Sequence, residues 1–100
     1  MEILRRMRKD PLIEEAKNQI LTNMRANKIH VGDAYNIPLD MIADVHMDDG
    51  EETYSDDSIS VAYYKGETVF RLRDGNHRYH IAKRNNEKLI WGTVIGVYKR

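Results

Sequence analysis

A short polar stretch near the end of the chain carries the side chains best suited to bind an anion. It reads Asp74-Gly75-Asn76-His77-Arg78 and joins two segments rich in β-branched and aromatic residues. Glycine permits a tight turn, and an Asp or Asn beside it can cap a helix that follows. The first N–H groups of such a helix lack partners within it, and the helix dipole makes this end positive. Because an imidazole and a guanidinium join them in the first turn, the stretch suits a phosphate group.

The same stretch also has a purely structural interpretation. A helix that is capped by Asp74 or Asn76, with Arg78 paired to an acidic neighbour, needs no ligand. Asp74 and His77 are also the candidates for a catalytic acid or base, although capping is the simpler role for Asp74. Both interpretations stay open at this point, and the sequence does not decide whether the chain is an enzyme.

The other reactive residue types form no complete site. His77 and His80 are three residues apart, a spacing that can hold zinc on a helix, but no third ligand accompanies them. The chain has no cysteine, which excludes disulfides, thiolate metal sites and cysteine nucleophiles. No serine belongs to a recognisable Ser-His-Asp arrangement. We therefore predict no metal site.

The formal net charge is zero, but the charges are segregated along the chain. Residues 44–57 contain seven Asp and Glu side chains and no Lys or Arg. This acidic loop is expected to face solvent or, alternatively, to rest as a flap near Arg73, Arg78 or Arg84 and mimic an anionic ligand. Basic residues on either side of the loop are candidates for contact with nucleic acid, with Arg5, Arg6 and Arg8 in one patch and Arg71, Arg73 and Arg84 in the other.

Local signals divide the chain into helices and strands. Asp10-Pro11 is a typical helix start, and apolar residues recur at spacings of three and four to about Asn27. Residues 36–45 indicate a short extended segment, which Pro38 places at a sheet edge. Lys65-Gly66-Glu67 predicts the turn of a β-hairpin. A second helix is indicated over residues 76–86, and the stretch LIWGTVIGVY is a last strand with Trp91, Thr93, Ile95 and Val97 on one face.

These elements predict an α+β fold, with a small mixed β-sheet, an N-terminal amphipathic helix and a helix that follows the polar turn. The length of 100 residues fits a single domain. Within it we expect an N-terminal helical region over residues 1–30 and a core over residues 31–100 that includes the acidic loop 44–57. No apolar run reaches membrane-spanning length and the chain does not start like a signal peptide, so we expect a cytoplasmic protein without membrane contact.

One part of the chain resembles a known superfamily. Residues 72–97, LRDGNHRYHIAKRNNEKLIWGTVIGV, resemble the signature of the ParB/sulfiredoxin-like superfamily, and a looser likeness extends back to residue 59. Its members have a strand, a D-G-x-H-R or G-x-x-R turn, a helix with small residues and a closing strand. Arg78, Tyr79 and Ala82 stand where that helix usually has Arg, an aromatic or apolar residue, and Ala.

The resemblance implies a ParB/sulfiredoxin-like fold in which Asp74, Gly75, Asn76, His77 and Arg78 bind the phosphates of a nucleotide, with or without Mg²⁺. Sulfiredoxin has its catalytic Cys in this turn, where this chain has Asn76. Reduction of a sulfinic acid by that route is therefore excluded. The chain is also too short for the additional domains of the partition ParB proteins. Since the superfamily includes small kinases and proteins described as nucleases, the fold does not choose a reaction.

The residues and the resemblance together support three functional hypotheses. The first is a nucleotide- or phosphate-binding ParB/sulfiredoxin-like domain, with phosphoryl or phosphodiester chemistry on nucleotides or nucleic acid as its activity. The second is a nucleic-acid-binding module that uses the two basic patches. The third is a non-catalytic interaction or inhibitor protein, of the kind found as accessories of phages and mobile elements, with a protein or nucleic acid as its partner. We adopt the first as the main prediction.

Overall fold

The computed structural model describes residues 10–47 and 58–99. Within these ranges the chain forms two α-helices, five β-strands and one short 3-10 helix. In chain order they are α1 (Pro11–Arg25), β1 (Ala34–Pro38), the 3-10 helix (Leu39–Met41), β2 (Ile42–Ala43), β3 (Ser58–Tyr64), β4 (Phe70–Asp74), α2 (Asn76–Arg84) and β5 (Leu89–Tyr98). The predicted α+β class is confirmed, with one helix before the sheet and one directly after the polar turn.

The five strands form a single mixed sheet in the order β1-β5-β3-β4-β2. Strand β3 is central and runs parallel to β5, β1 is antiparallel to β5, and β4 is antiparallel to β3. The edge position that Pro38 predicted is confirmed for β1. The single extended segment predicted over residues 36–45 is wrong, because the 3-10 helix interrupts it after Pro38 and β2 then pairs with β4 at the opposite edge.

Helix α1 begins as predicted. Asp10 is its N-cap, and the Asp10 carboxylate accepts a hydrogen bond from the N–H of Leu12 at 2.9 Å. The helix ends two residues before the predicted Asn27, because Asn27 adopts a left-handed conformation with φ of 60° that no helix continues. Only the second half of α1 is anchored in the core, through Ile20 and Met24, whereas Leu12 is 67% exposed.

One hydrophobic cluster joins both helices to the sheet. Ile20 of α1 and Tyr79 of α2 belong to it together with inward-facing residues of the strands. Phe70 of β4 is fully buried, and its ring lies 5.9 Å from the ring centroids of both Tyr35 and Tyr63. Both helices contribute to this core face, and we call the opposite side of the sheet the open face. Near β1 the open face also borders α1, because Trp91 and Leu12 line one pocket.

A β-bulge changes the alternation of side chains along β5. The pairing of β3 with β5 skips one residue at Ile95. An extra residue reverses which side chains point inward beyond it. Val97 therefore packs against the core and Tyr98 turns to the open face. The prediction that Trp91, Thr93, Ile95 and Val97 share one face is wrong for Val97.

Candidate functional site

The polar turn is the junction between β4 and α2. Strand β4 ends at Asp74, and Gly75 is the N-cap of α2 in a left-handed conformation with φ of 98°. A Cβ atom on Gly75 would lie 2.7 Å from Cγ2 of Ile59, which is inside van der Waals contact. Glycine is therefore required here for two independent reasons, the backbone conformation and the close approach of β3.

The predicted capping of α2 by Asp74 or Asn76 is wrong. The cap residue is Gly75, which has no side chain to accept a hydrogen bond from the helix. The Asp74 carboxylate accepts instead from the N–H of Gly75 at 3.0 Å, and Asn76 bonds to another segment of the chain. The physical reason is the tight contact with Ile59, which admits only glycine at the cap position. As a result, the cap position offers no acceptor of its own to the positive end of α2.

Asn76 holds the start of the acidic loop against the first turn of α2. Its Oδ1 accepts from the N–H of His46 at 2.8 Å, and its Nδ2 donates to the carbonyl of Met47 at 3.2 Å. Nε2 of His80 lies 2.7 Å from the carbonyl oxygen of His46. Two side chains of α2 thus fix the backbone of residues 46 and 47 beside the turn.

The hydrogen bond from the N–H of His46 to Asn76 leads to a prediction for amide hydrogen exchange. In Asn76→Ala, the N–H of His46 loses its acceptor, so its amide should exchange faster, by about 5- to 30-fold for a net bond of about 1–2 kcal/mol. The N–H of His30, which bonds to the Asp33 carboxylate at 2.9 Å, is the internal control and should not change. Unaltered exchange at His46 would show that Asn76 does not hold this segment in solution.

Arg78 is engaged away from the turn. Its Nη2 lies 3.1 Å from a carboxylate oxygen of Glu87, in the loop that follows α2, and only 19% of its side chain is exposed. Its Nη1 is buried and has no hydrogen-bond partner in the described part of the chain. Of the two interpretations of Arg78, the structure shows the pairing with an acidic neighbour. Contact with an anion at the turn would require the guanidinium to leave Glu87.

The two catalytic candidates lie on either side of the cap. Asp74 is the exposed last residue of β4, and half-buried His77 belongs to the first turn of α2. Both therefore border the N-terminus of α2. Among residues 10–47 and 58–99, no group of three metal-ligating side chains occurs.

The basic residues after the acidic loop do not form one patch. Arg71 and Arg73 lie on β4 with their side chains on the open face, whereas Arg78 and Arg84 belong to α2, which packs on the core face. The sheet separates the two pairs, so the prediction of a single second patch is wrong. The candidates Arg5, Arg6 and Arg8 lie outside the described residues.

Arg71 is neutralised by carboxylates from two directions. It forms ion pairs with Glu67 in the hairpin and with Asp44 at the start of the acidic loop. Hydrogen bonds from Glu67, followed by those from Asp44, raise the pKa of Arg71 above its ordinary value. The flap interpretation expected the acidic loop to lie near Arg73, Arg78 or Arg84. Asp44 instead contacts Arg71. Residues 48–57 of the acidic loop lie outside the described residues.

Comparison with known proteins identifies no relative of this chain. No protein-family model, no curated protein and no solved structure matches the chain. In the described ranges, neither helix is long and apolar enough to cross a membrane.

Proposed function

We propose that this chain is a nucleotide- or phosphate-binding domain of the ParB/sulfiredoxin-like type, and that the anion binds at the N-terminal turn of α2. The observation that carries the proposal is the junction at Gly75. This glycine has a left-handed conformation and is the N-cap of α2, so no side chain of the cap residue bonds to the first turn. The helix dipole and the first backbone N–H groups favour negative charge at this point.

The residues at the turn then take distinct roles. The first turn of α2, after Gly75, supplies backbone N–H donors, and His77 lies beside the anion. The N–H of Gly75 itself is bonded to the Asp74 carboxylate. If phosphoryl or phosphodiester chemistry takes place, Asp74 and His77 are the acid and base candidates because they border the turn. A nucleotide-bound Mg²⁺ usually takes one or two protein carboxylates and keeps several waters. Exposed Asp74 is the carboxylate at the turn that fits such a contact.

Arg78 should contribute only when it is released from Glu87. A guanidinium held by a carboxylate has little net charge to offer an incoming phosphate. Its buried and unpaired Nη1 indicates, however, that the present arrangement leaves one donor unsatisfied. Glu87 and a phosphate therefore compete for the same guanidinium.

Calorimetric titration of wild type and two variants with nucleoside di- and triphosphates and inorganic phosphate tests the proposal. Arg78→Ala should weaken binding by at most about 1.5–3 kcal/mol, because a charge-assisted contact is lost for which wild type must first release the guanidinium from Glu87. Glu87→Gln should strengthen binding, because it releases the guanidinium without changing the shape of residue 87. Binding of none of these ligands to the folded wild type and to Glu87→Gln would contradict the proposal.

A second candidate function rests on the contacts that Asn76 and Arg78 make within the chain. Since Arg78 is paired with Glu87 and Asn76 is bonded to residues 46 and 47, two residues of the predicted site are satisfied internally. A protein that retains the fold and has lost catalysis would show such contacts. The candidate is a non-catalytic interaction or inhibitor protein. It would be favoured if Glu87→Gln, with Arg78 released, binds no nucleotide or phosphate.

A further inference from the structure

The open face of the sheet carries a cluster of aromatic and cationic side chains that the turn does not use. The rings of Tyr64 and Tyr98 lie 5.1 Å apart and are tilted by 32°. The guanidinium groups of Arg71 and Arg73 lie 5.5 and 5.8 Å from the centre of the Tyr64 ring. Arg73 also donates a hydrogen bond to the Tyr64 hydroxyl at 2.7 Å. Three adjacent strands, β5, β3 and β4, supply these residues.

Large apolar side chains extend this cluster along β5. Trp91 is 48% exposed, Ile95 is 51% exposed and Tyr98 is 47% exposed. Trp91 precedes the bulge and Tyr98 follows it, and both rings belong to the open face because the bulge reverses the alternation between them. Exposed aromatic residues grouped on one sheet face are typical of a binding surface.

The charges of Arg71 and Arg73 indicate which kind of ligand fits the cluster. Arg71 is paired with Asp44 and Glu67, whereas Arg73 forms no ion pair within residues 10–47 and 58–99. The surface therefore combines flat rings with a guanidinium whose charge no described carboxylate neutralises. A partner with complementary chemistry has flat, stackable groups that alternate with negative charges. Nucleic acid has this chemistry.

The flat shape of the face favours a single strand over a duplex. In a duplex the bases are stacked on each other, and their faces do not reach a protein surface. In a single strand each base presents a face that can stack on an aromatic ring, and the phosphates follow a cationic track. Trp91 and Tyr98 are seven positions apart on β5, which corresponds to about 23 Å at about 3.3 Å per residue. That length suits several nucleotides, as in sheet-based single-strand sites of about 4–16 nucleotides.

We propose that the open face binds single-stranded nucleic acid. Bases stack on Tyr98 and Trp91, and Arg73 contacts a phosphate. Tyr64 does not itself present a free ring face, because Arg71 and Arg73 lie over it, and its role is to position Arg73. This surface lies on the opposite side of the sheet from α2, so it is independent of the proposed phosphate site at the turn.

Fluorescence anisotropy with a labelled 12-nucleotide oligo-dT and a 12-base-pair duplex tests the proposal across a salt series. The wild type should bind the single strand more tightly than the duplex. Tyr98→Ala should lower the affinity about 5- to 150-fold, which corresponds to the loss of one stacked base. Arg73→Ala should lower it too and reduce the slope of log K against log salt by about 0.7, because one phosphate contact is lost. Arg25→Ala, at the exposed end of α1, is the matched control and should bind like wild type.

Further variants separate this surface from the turn and from effects on folding. Trp91→Leu keeps a bulky apolar side chain and removes the stacking ring, so it should weaken binding even if Tyr98→Ala does not fold. Lys83→Ala, at an exposed position of α2, should leave binding to the single strand unchanged. The proposal is overturned if folded wild type binds neither oligonucleotide or prefers the duplex. It is equally overturned if Arg73→Ala and Trp91→Leu bind like wild type, which would leave the face as a surface for a protein partner.

Discussion

Replacement of Phe70 with alanine should lower the free energy of unfolding by about 3–5 kcal/mol. The side chain is fully buried, and two aromatic rings, those of Tyr35 and Tyr63, contact it from β1 and β3. The variant loses the transfer of a large apolar surface from water and leaves a cavity that strands on both sides of β4 cannot fill. Because a domain of this size is stable by about 5–15 kcal/mol, the loss removes a large part of its stability.

Urea unfolding followed by circular dichroism measures this effect. The midpoint should fall strongly in Phe70→Ala while the slope of the transition stays that of wild type. Leu12→Ala is the control, since Leu12 is 67% exposed on the first turn of α1 and should change the stability by no more than about 0.5 kcal/mol. Equal stabilities of the two variants would contradict the position of Phe70 at the centre of the core.

Gly75→Ala should destabilise the protein by about 2–5 kcal/mol. About 1–2 kcal/mol comes from forcing an L-residue into the left-handed region. A further contribution of about 1–3 kcal/mol comes from the added Cβ, which would lie 2.7 Å from a methyl group of Ile59 on a buried strand. The two costs act at the same residue but have different origins.

Gly32→Ala separates the two costs. Gly32 has nearly the same left-handed φ, 99°, but a Cβ at this position meets no atom within 4 Å. Its destabilisation, measured by the same urea titration, should therefore report the backbone cost alone, and Gly75→Ala should be destabilised more. If the two variants lost the same stability, the close contact between the turn and β3 would not exist in solution.

The parts of the fold that the sequence predicts are those with strong local signals. Asp10 and Pro11 start α1 because a capping carboxylate and a fixed φ act within one turn of the helix. The hairpin around Gly66 forms because Gly66 accepts a positive φ of 96° between two strands. The sequence also predicts the junction between β4 and α2 correctly, because Gly75 interrupts an apolar pattern. This signal is local and depends on no distant residue.

The errors concern interactions between residues far apart in sequence. The bulge at Ile95 depends on how β3 and β5 pair, so the alternation of β5 alone does not reveal it. Asn76 is a good cap by residue type, but its amide bonds to the backbone of residue 46, thirty positions earlier. The cluster of Tyr64 with Tyr98 arises from the same strand pairing. Local patterns therefore identify the turn, whereas the partners of its side chains require the fold.

The N-terminal turn of α2 is proposed to bind phosphate, and an NMR titration tests this most directly because it locates the bound anion at the level of single residues. Inorganic pyrophosphate, which reproduces the group shared by nucleoside di- and triphosphates, is titrated into ¹⁵N-labelled protein while backbone amide shifts are recorded by NMR. We predict the largest saturable shifts at the amides of residues 75–78, because they form the cap and the first turn of α2, where the anion would bind. An absence of shifts at these four amides, or larger shifts around Arg73 and Tyr98 on the open face, would contradict the account.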